Sequence, residues 1–229
     1  MKKDKTGCDG KTCMLCRWAA REWKLTTDLH RKNFLIKKGQ TFFNEGDPVQ
    51  GIFFVYEGLV KVHKHWGEDK ELIIRFAQKG DIVGHRGIGG KLPVFPITAT
   101  ALTNTQVCYV DIDFFTSSLK VNQDLLYKLL YFFAEELQTT ERQMRNLAHM
   151  SVKERLATAL LNLQNQFGCN DDGLIKVQLS KQDLASYIGA TYETTFRILS
   201  ELVAEKLVGV TGKNYTIMNT AKLLELAGP

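Results

Sequence analysis

No stretch of the 229 residues is long and apolar enough to span a membrane. The opening, Met1-Lys-Lys-Asp-Lys-Thr-Gly-Cys-Asp9, carries no apolar run behind its lysines and so does not read as a signal peptide. These two absences predict a cytoplasmic chain with no membrane partner, whose cysteines serve as thiols, metal ligands or redox sensors. A large charge imbalance is missing too. The net charge is +5, and residues 140–229 hold 10 Lys/Arg against 9 Asp/Glu. The excess lies in residues 1–45, with 11 against 5, so charge alone does not point to nucleic acid. Nor is there a catalytic constellation. The nearest to a metal triad is His63-Lys-His65 with Glu68 and Glu71 beyond it, which leaves a cupin-like metal enzyme as a distant alternative and predicts no enzyme activity. Gly87-Ile-Gly-Gly90 lacks the strand–helix surroundings of a dinucleotide fingerprint.

What is present centres on Leu179 to Val208. Ser180 is a good N-cap with Asp183 three residues on, and Leu184, Ala185 and Ile188 share a helical face. Gly189 breaks the run, as a glycine in a left-handed turn does, and Thr191 can cap a second helix. Thr195, Ile198, Leu199 and Leu202 form that helix's buried stripe, which leaves Tyr192, Glu193, Phe196 and Arg197 outside. This is the layout of a helix-turn-helix whose second helix enters the major groove by its first turns. Glu193 and Arg197 share a face and suit cytosine N4 and guanine O6/N7. An exposed ion pair is the plainer alternative. Val208 to Ile217 then reads as strand, turn, strand, a wing with Lys213 at its tip to meet a phosphate. The expected DNA-facing set is Ser180, Lys181, Thr191, Tyr192, Glu193, Thr195, Phe196, Arg197 and Lys213.

Cys8, Cys13 and Cys16 have C-x4-C-x2-C spacing, which suits an iron–sulfur cluster if a fourth ligand comes from elsewhere, and Cys108 is the natural candidate. Zinc and a thiol–disulfide switch are the alternatives. Cys169 fits no pattern. From Phe34 to Asp113 short strands alternate with glycine turns, which predicts a β-barrel or roll. His63, His65 and His85 lie within it and make haem another alternative, alongside a small molecule held in the roll. From Asn122 to His149, Leu126, Leu130, Phe133, Leu137, Thr140, Met144 and Leu147 recur at 4-3-4-3-4-3 spacing, a heptad seam. Leu125, Leu129 and Phe132 on a neighbouring face can cover the roll while the seam pairs with a second copy. Ser151 and Glu154 make a capping box that starts a new element.

The motifs L-S-K-Q-D-L-A-x-Y-I-G, E-T-x-x-R-x-L-x-x-L, K-G-Q-x-x-F-x-E-G-D and V-x-x-G-x-V-K-V together make most of the chain resemble the CRP/FNR family of bacterial transcription regulators. The resemblance implies an α+β fold in four parts. They are an N-terminal cysteine segment (1–30), a cyclic-nucleotide-binding-like β-roll (31–120), a long dimerisation helix (121–150) and a winged helix-turn-helix (151–229). It implies a homodimer that binds a palindromic double-stranded site with TGA-like half-sites read by Glu193 and Arg197, with RNA polymerase as a further partner. Phe196 departs from the small residue often found there and can touch a thymine methyl. The oxygen-sensing branch holds a 4Fe-4S cluster on three N-terminal cysteines and one in the roll, which would fall on Cys8, Cys13, Cys16 and Cys108. The N-terminal spacing differs from that branch's best-known pattern. Sensing of redox state, oxygen or nitric oxide is the implied signal. The roll's nucleotide phosphate site needs Gly-Glu and then Arg-Ser or Arg-Thr. Here His85 replaces the Glu, and Phe95, Pro96 and Ile97 stand near the missing pair, so cAMP is not expected.

Overall fold

The computed structural model describes residues 2–3, 9–67, 70–89 and 93–228. Packing divides the chain into two compact units, one from residues 1–64 and 74–138, the other from residues 65–73 and 139–229. The first begins with β1 (Lys2–Lys3), α1 (Met14–Trp18) and α2 (Lys24–His30). Strands β2 (Lys32–Ile36), β3 (Thr41–Phe43), β4 (Gly51–Glu57), β5 (Val60–Trp66), β6 (Lys70–Ala77), β7 (Ile82–Val83), β8 (Thr98–Ala101) and β9 (Thr105–Asp111) follow. Then come α3 (Ile112–Val121) and the long α4 (Gln123–His149), whose residues 139–149 belong to the second unit.

The strands form two sheets, ordered β1-β2-β9-β4-β7 and β3-β8-β5-β6. Strand parity decides what each residue faces. On β4, Phe53 and Val55 enter an apolar core shared with β3, β5 and β8, whereas Ile52 and Phe54 face a second core built with α1, α3 and α4. Both faces of β4 are covered, so Gly51 to Val55 are all buried. On β9 the same alternation turns Val107 to the first core and Cys108 and Val110 to the second. Gly51 has to be glycine: a Cβ there would lie 2.3 Å from the Val110 carbonyl oxygen and 2.4 Å from the Tyr109 ring.

The expected β-roll and long helix are both present, the helix starting at Gln123 rather than Asn122. Asn122 instead caps the end of α3, its backbone N–H donating to Ser118 O.

The second unit contains α5 (Val152–Phe167), α6 (Lys181–Ile188), α7 (Tyr192–Ala204), β10 (Val208–Thr211), β11 (Asn214–Ile217) and α8 (Thr220–Ala227). The capping box at its start forms as the sequence predicts: Ser151 N donates to Glu154 Oε2 at 2.6 Å and Glu154 N to Ser151 Oγ at 3.3 Å. Leu156, Leu160, Leu184, Leu199, Leu202 and Leu223 supply its buried core.

Candidate nucleic-acid interface and sensory residues

The α6–turn–α7 segment is assembled by local bonds. Ser180 Oγ accepts from Asp183 N at 3.0 Å and caps α6, and Thr191 Oγ1 accepts from Thr194 N at 3.3 Å and caps α7. Gly189 closes α6 at φ 63°, where a side chain is disfavoured. A Cβ there would also lie 2.6 Å from Leu147 Cδ2. Arg155 ties the same turn down, donating to Gly189 O at 3.3 Å and to Leu147 O at 3.0 Å. Gly189→Ala should therefore destabilise this unit by about 1–2 kcal/mol through left-handed backbone strain and displacement of Leu147. The midpoint of its thermal unfolding checks this.

The outward face of α7 is as expected at Thr191, Tyr192, Glu193, Phe196 and Arg197, all exposed. Thr195 is the correction. It is fully buried and its hydroxyl donates to Thr191 O at 2.8 Å, so it presents nothing to a base. Its place in the apolar stripe with Ile198 and Leu202 decides its direction. The plainer alternative, an ion pair between Arg197 and Glu193, does not form: Arg197 pairs instead with Glu201 at 2.6 Å, which leaves Glu193 exposed. Ser180 is half-buried and Lys181 lies over the Phe196 ring, 4.7 Å from its centroid. Lys213 sits exposed in the two-residue turn between β10 and β11, where Thr211 faces Asn214. Its carbonyl accepts from Leu179 N at 3.2 Å, and Tyr215 OH donates to Leu179 O at 3.2 Å, which fixes the wing beside the start of α6.

The heptad seam of α4 is largely open. Leu126, Leu130, Leu137 and Met144 are between 48 and 62 % exposed. Phe133 departs from this. It is half-buried in the second core with its ring 5.3 Å from that of His85. A straight helix drifts against a strict heptad, and that drift carries Phe133 toward the roll-facing stripe of Leu125, Leu129 and Phe132. Thr140 is half-buried, and Leu147 packs over the α6–α7 turn.

That roll-facing stripe continues into a charged centre that sequence reasoning missed. Glu136, four residues after Phe132, meets His85 Nε2 at 2.7 Å, Arg75 Nε at 2.9 Å and Arg86 Nε at 3.2 Å. A lone acidic residue continuing an apolar stripe is the sequence signal for it. Burial pushes the Glu136 carboxyl upward, but the His85 hydrogen bond and the Arg75 and Arg86 charges reverse this and hold it at about 2. Burial lowers the His85 pKa from its ordinary value, against the pull of the Glu136 carboxylate on Nε2. Glu136 thus contributes stability in full above its ordinary pKa of 4.5, and the contribution is lost as pH falls from there through about 2. Glu136→Gln removes the carboxylate that Arg75 and Arg86 share, while Arg75 keeps the charge of Asp81; it should cost roughly 3 kcal/mol, read as a lower urea midpoint at neutral pH. The variant should also lack Glu136's share of the acid destabilisation, so its stability should fall less steeply below pH 4.5 than that of the wild type.

Of the cysteines, Cys8 lies outside the described residues. Cys13 is buried and N-caps α1, its Sγ accepting from Cys16 N at 3.5 Å. Cys16 is half-buried, and Cys108 is fully buried on β9. All three belong to the second core, with Leu15, Phe115, Leu125 and Leu129. They do not place three sulfurs within 4.8 Å of one another. Cys169 belongs to the second unit, its Sγ accepting from Gln164 Nε2 at 3.3 Å. Of the three roll histidines, His63 is buried with Nε2 2.9 Å from Thr100 Oγ1, His85 is held by Glu136, and His65 is exposed.

Comparison with known proteins agrees with this architecture. Residues 34–122 match the cyclic nucleotide-binding domain and residues 154–226 the Crp-like helix-turn-helix domain. The chain is 28 % identical over 195 residues to the fumarate and nitrate reduction regulatory protein of Vibrio cholerae, covering 84 % of this chain and 77 % of that one. It is also 28 % identical over 182 residues to the cAMP-activated global transcriptional regulator CRP of Salmonella typhimurium, covering 79 % and 86 %. The structure of FixK2 from Bradyrhizobium japonicum superposes with a TM-score of 0.77 at 25 % identity, over 87 % of this chain and 98 % of that one. With a β-roll, a long helix and a DNA-binding helix-turn-helix in that order, the chain belongs to the CRP/FNR family and is a DNA-binding transcription regulator.

Proposed function

We propose that this regulator acts in the cytoplasm as a homodimer. It reads a palindromic DNA site with TGA-like half-sites and answers to redox state, oxygen or nitric oxide through its cysteines. The observation that carries the signal is the shared core of the first unit. Cys13 and Cys16 on α1 and Cys108 on β9 belong to the same apolar cluster as Leu125, Leu129, Phe132 and Phe133 of α4. Ala20 N donates to Asn122 Oδ1 at 2.7 Å and Trp23 Nε1 to Ser118 Oγ at 2.9 Å, so the segment after α1 is bonded to the junction of α3 and α4. Any change in what the thiols bind therefore acts on the helix that carries the dimer seam.

The donor set fits an iron–sulfur cluster in its chemistry: thiols on two elements, walled by apolar side chains. Cys13, Cys16 and Cys108, with Cys8 as the fourth, would hold it. When bound, such a cluster supplies a centre that oxygen and nitric oxide destroy. The chain's own part is to pin α1 against α4 when the thiols are engaged and to release it when they are not. That biases α4 between paired and unpaired states. A zinc or thiol switch would act on the same cysteines. Haem is less well supported, because His85 Nε2 is occupied by Glu136. A cyclic nucleotide is not the signal we assign, since Arg75 and Arg86 are committed to Glu136 and Phe95 is buried against Phe43 with ring centroids 3.7 Å apart. DNA reading rests on Glu193 and Arg197 exposed on a capped α7 beside the wing, and RNA polymerase is the partner through which bound dimers act.

Purification without oxygen, followed by absorption spectra and iron, sulfide and zinc analysis, tests the signal. A broad visible band with iron and sulfide that bleaches in air is expected. A sharp Soret band would assign the signal to haem, and stoichiometric zinc or metal-free protein would assign it to a zinc or thiol switch.

A further inference from the structure

The outer face of α7 carries more than its charged residues. Tyr192 and Phe196, one turn apart, are 42 % and 45 % exposed. Their rings lie parallel within 6°, with centroids 6.3 Å apart. Lys181, the first residue of α6, sets its ammonium 4.7 Å from the Phe196 centroid. Two large rings held in water on a helix whose inner stripe is already filled by Ile198, Leu199 and Leu202 call for an apolar partner. The major groove offers one apolar group, the C5 methyl of thymine.

We propose that Tyr192 and Phe196 form a platform that reads thymine by its methyl group, at a base pair adjacent to the one taken by Arg197. This deepens the DNA-reading assignment and rests on it. Phe196 precedes Arg197 on the helix, so the two side chains point about 100° apart and reach neighbouring base pairs. Stacking on Tyr192 and the cation above it hold the Phe196 ring in one orientation, so little side-chain freedom is lost on contact. Lys181 stays at the α6 N-terminus, where a backbone phosphate neutralises it. Phe196 in this role makes thymine a requirement in the half-site.

Uracil in place of thymine tests the idea, because it keeps every hydrogen-bonding group and removes only the methyl. The full-length protein first selects its site from a random DNA pool. Each thymine of the selected duplex is then changed singly to uracil and affinity is measured by fluorescence anisotropy. At one thymine per half-site the wild type should lose about fourfold, the worth of one buried methyl. Phe196→Ala should bind more weakly and lose nothing further on that change, while keeping its dependence on the guanine read by Arg197. Phe196 is exposed, so the fold should be unaffected. Uracil tolerated at every position by the wild type, or the same uracil penalty in Phe196→Ala, would overturn the platform and leave guanine reading standing. If no sequence is selected at all, both assignments fall.

Discussion

Arg197→Ala is expected to lose about 1–3 kcal/mol of DNA binding per half-site, between about fivefold and 150-fold. The residue stands exposed on the second turn of α7, and its partner in the free protein is Glu201 at 2.6 Å. An exposed i,i+4 pair contributes only about 0.3–0.5 kcal/mol, so stability should hardly change and the loss should fall on DNA. Moving from Glu201 to a guanine exchanges a weak surface pair for a bidentate contact in the groove. Titrating wild type and variant against the selected site and a copy with that G·C pair changed separates readout from general affinity. The wild type should discriminate and the variant should not. Equal discrimination by both would remove Arg197 from base readout.

The second large effect concerns the α4 seam. Leu130 and Leu137 are 62 % and 60 % exposed and lie seven residues apart. Leu130→Glu with Leu137→Glu should leave the first unit folded, because both side chains point away from its core. It should also put like charges where two copies meet. Sedimentation should then give a monomer where the wild type gives a dimer. Affinity for a palindromic site should fall by about 10²–10⁴, since each half-site must be bound without the effective concentration that the linked copy supplies. Unchanged circular dichroism together with these losses would place the interface on α4. A double variant that remains dimeric would not.

The secondary-structure frame was legible because its signals are local. Ser151, Ser180, Thr191, Gly189 and the turn that holds Lys213 each act within a few residues, and each does in the structure what its chemistry predicts. Spacing in α4 picked out Leu126, Leu130, Leu137 and Met144, which are exposed, but not the facing of Phe133, where the drift of a straight helix decides. What escaped was non-local. Glu136 finds His85 about 50 residues away and Arg75 farther still, and no spacing within α4 announces three partners from β6 and the turn after β7. Thr195 shows a conflict within one residue, because its hydroxyl suits DNA while its position on the stripe buries it. Cys108 was legible as a thiol on a strand. Its direction toward α1 follows from β9 parity, which needs the register of the sheet.

The state of the cysteines is expected to govern DNA binding. The most direct test is the affinity of protein purified without oxygen for its selected site, measured before and after exposure to air, in the wild type and in Cys108→Ala. The wild type should bind tightly first and lose affinity on exposure, and Cys108→Ala should bind weakly in both conditions. Affinity unchanged by air in the wild type, or a full air response in Cys108→Ala, would contradict the account.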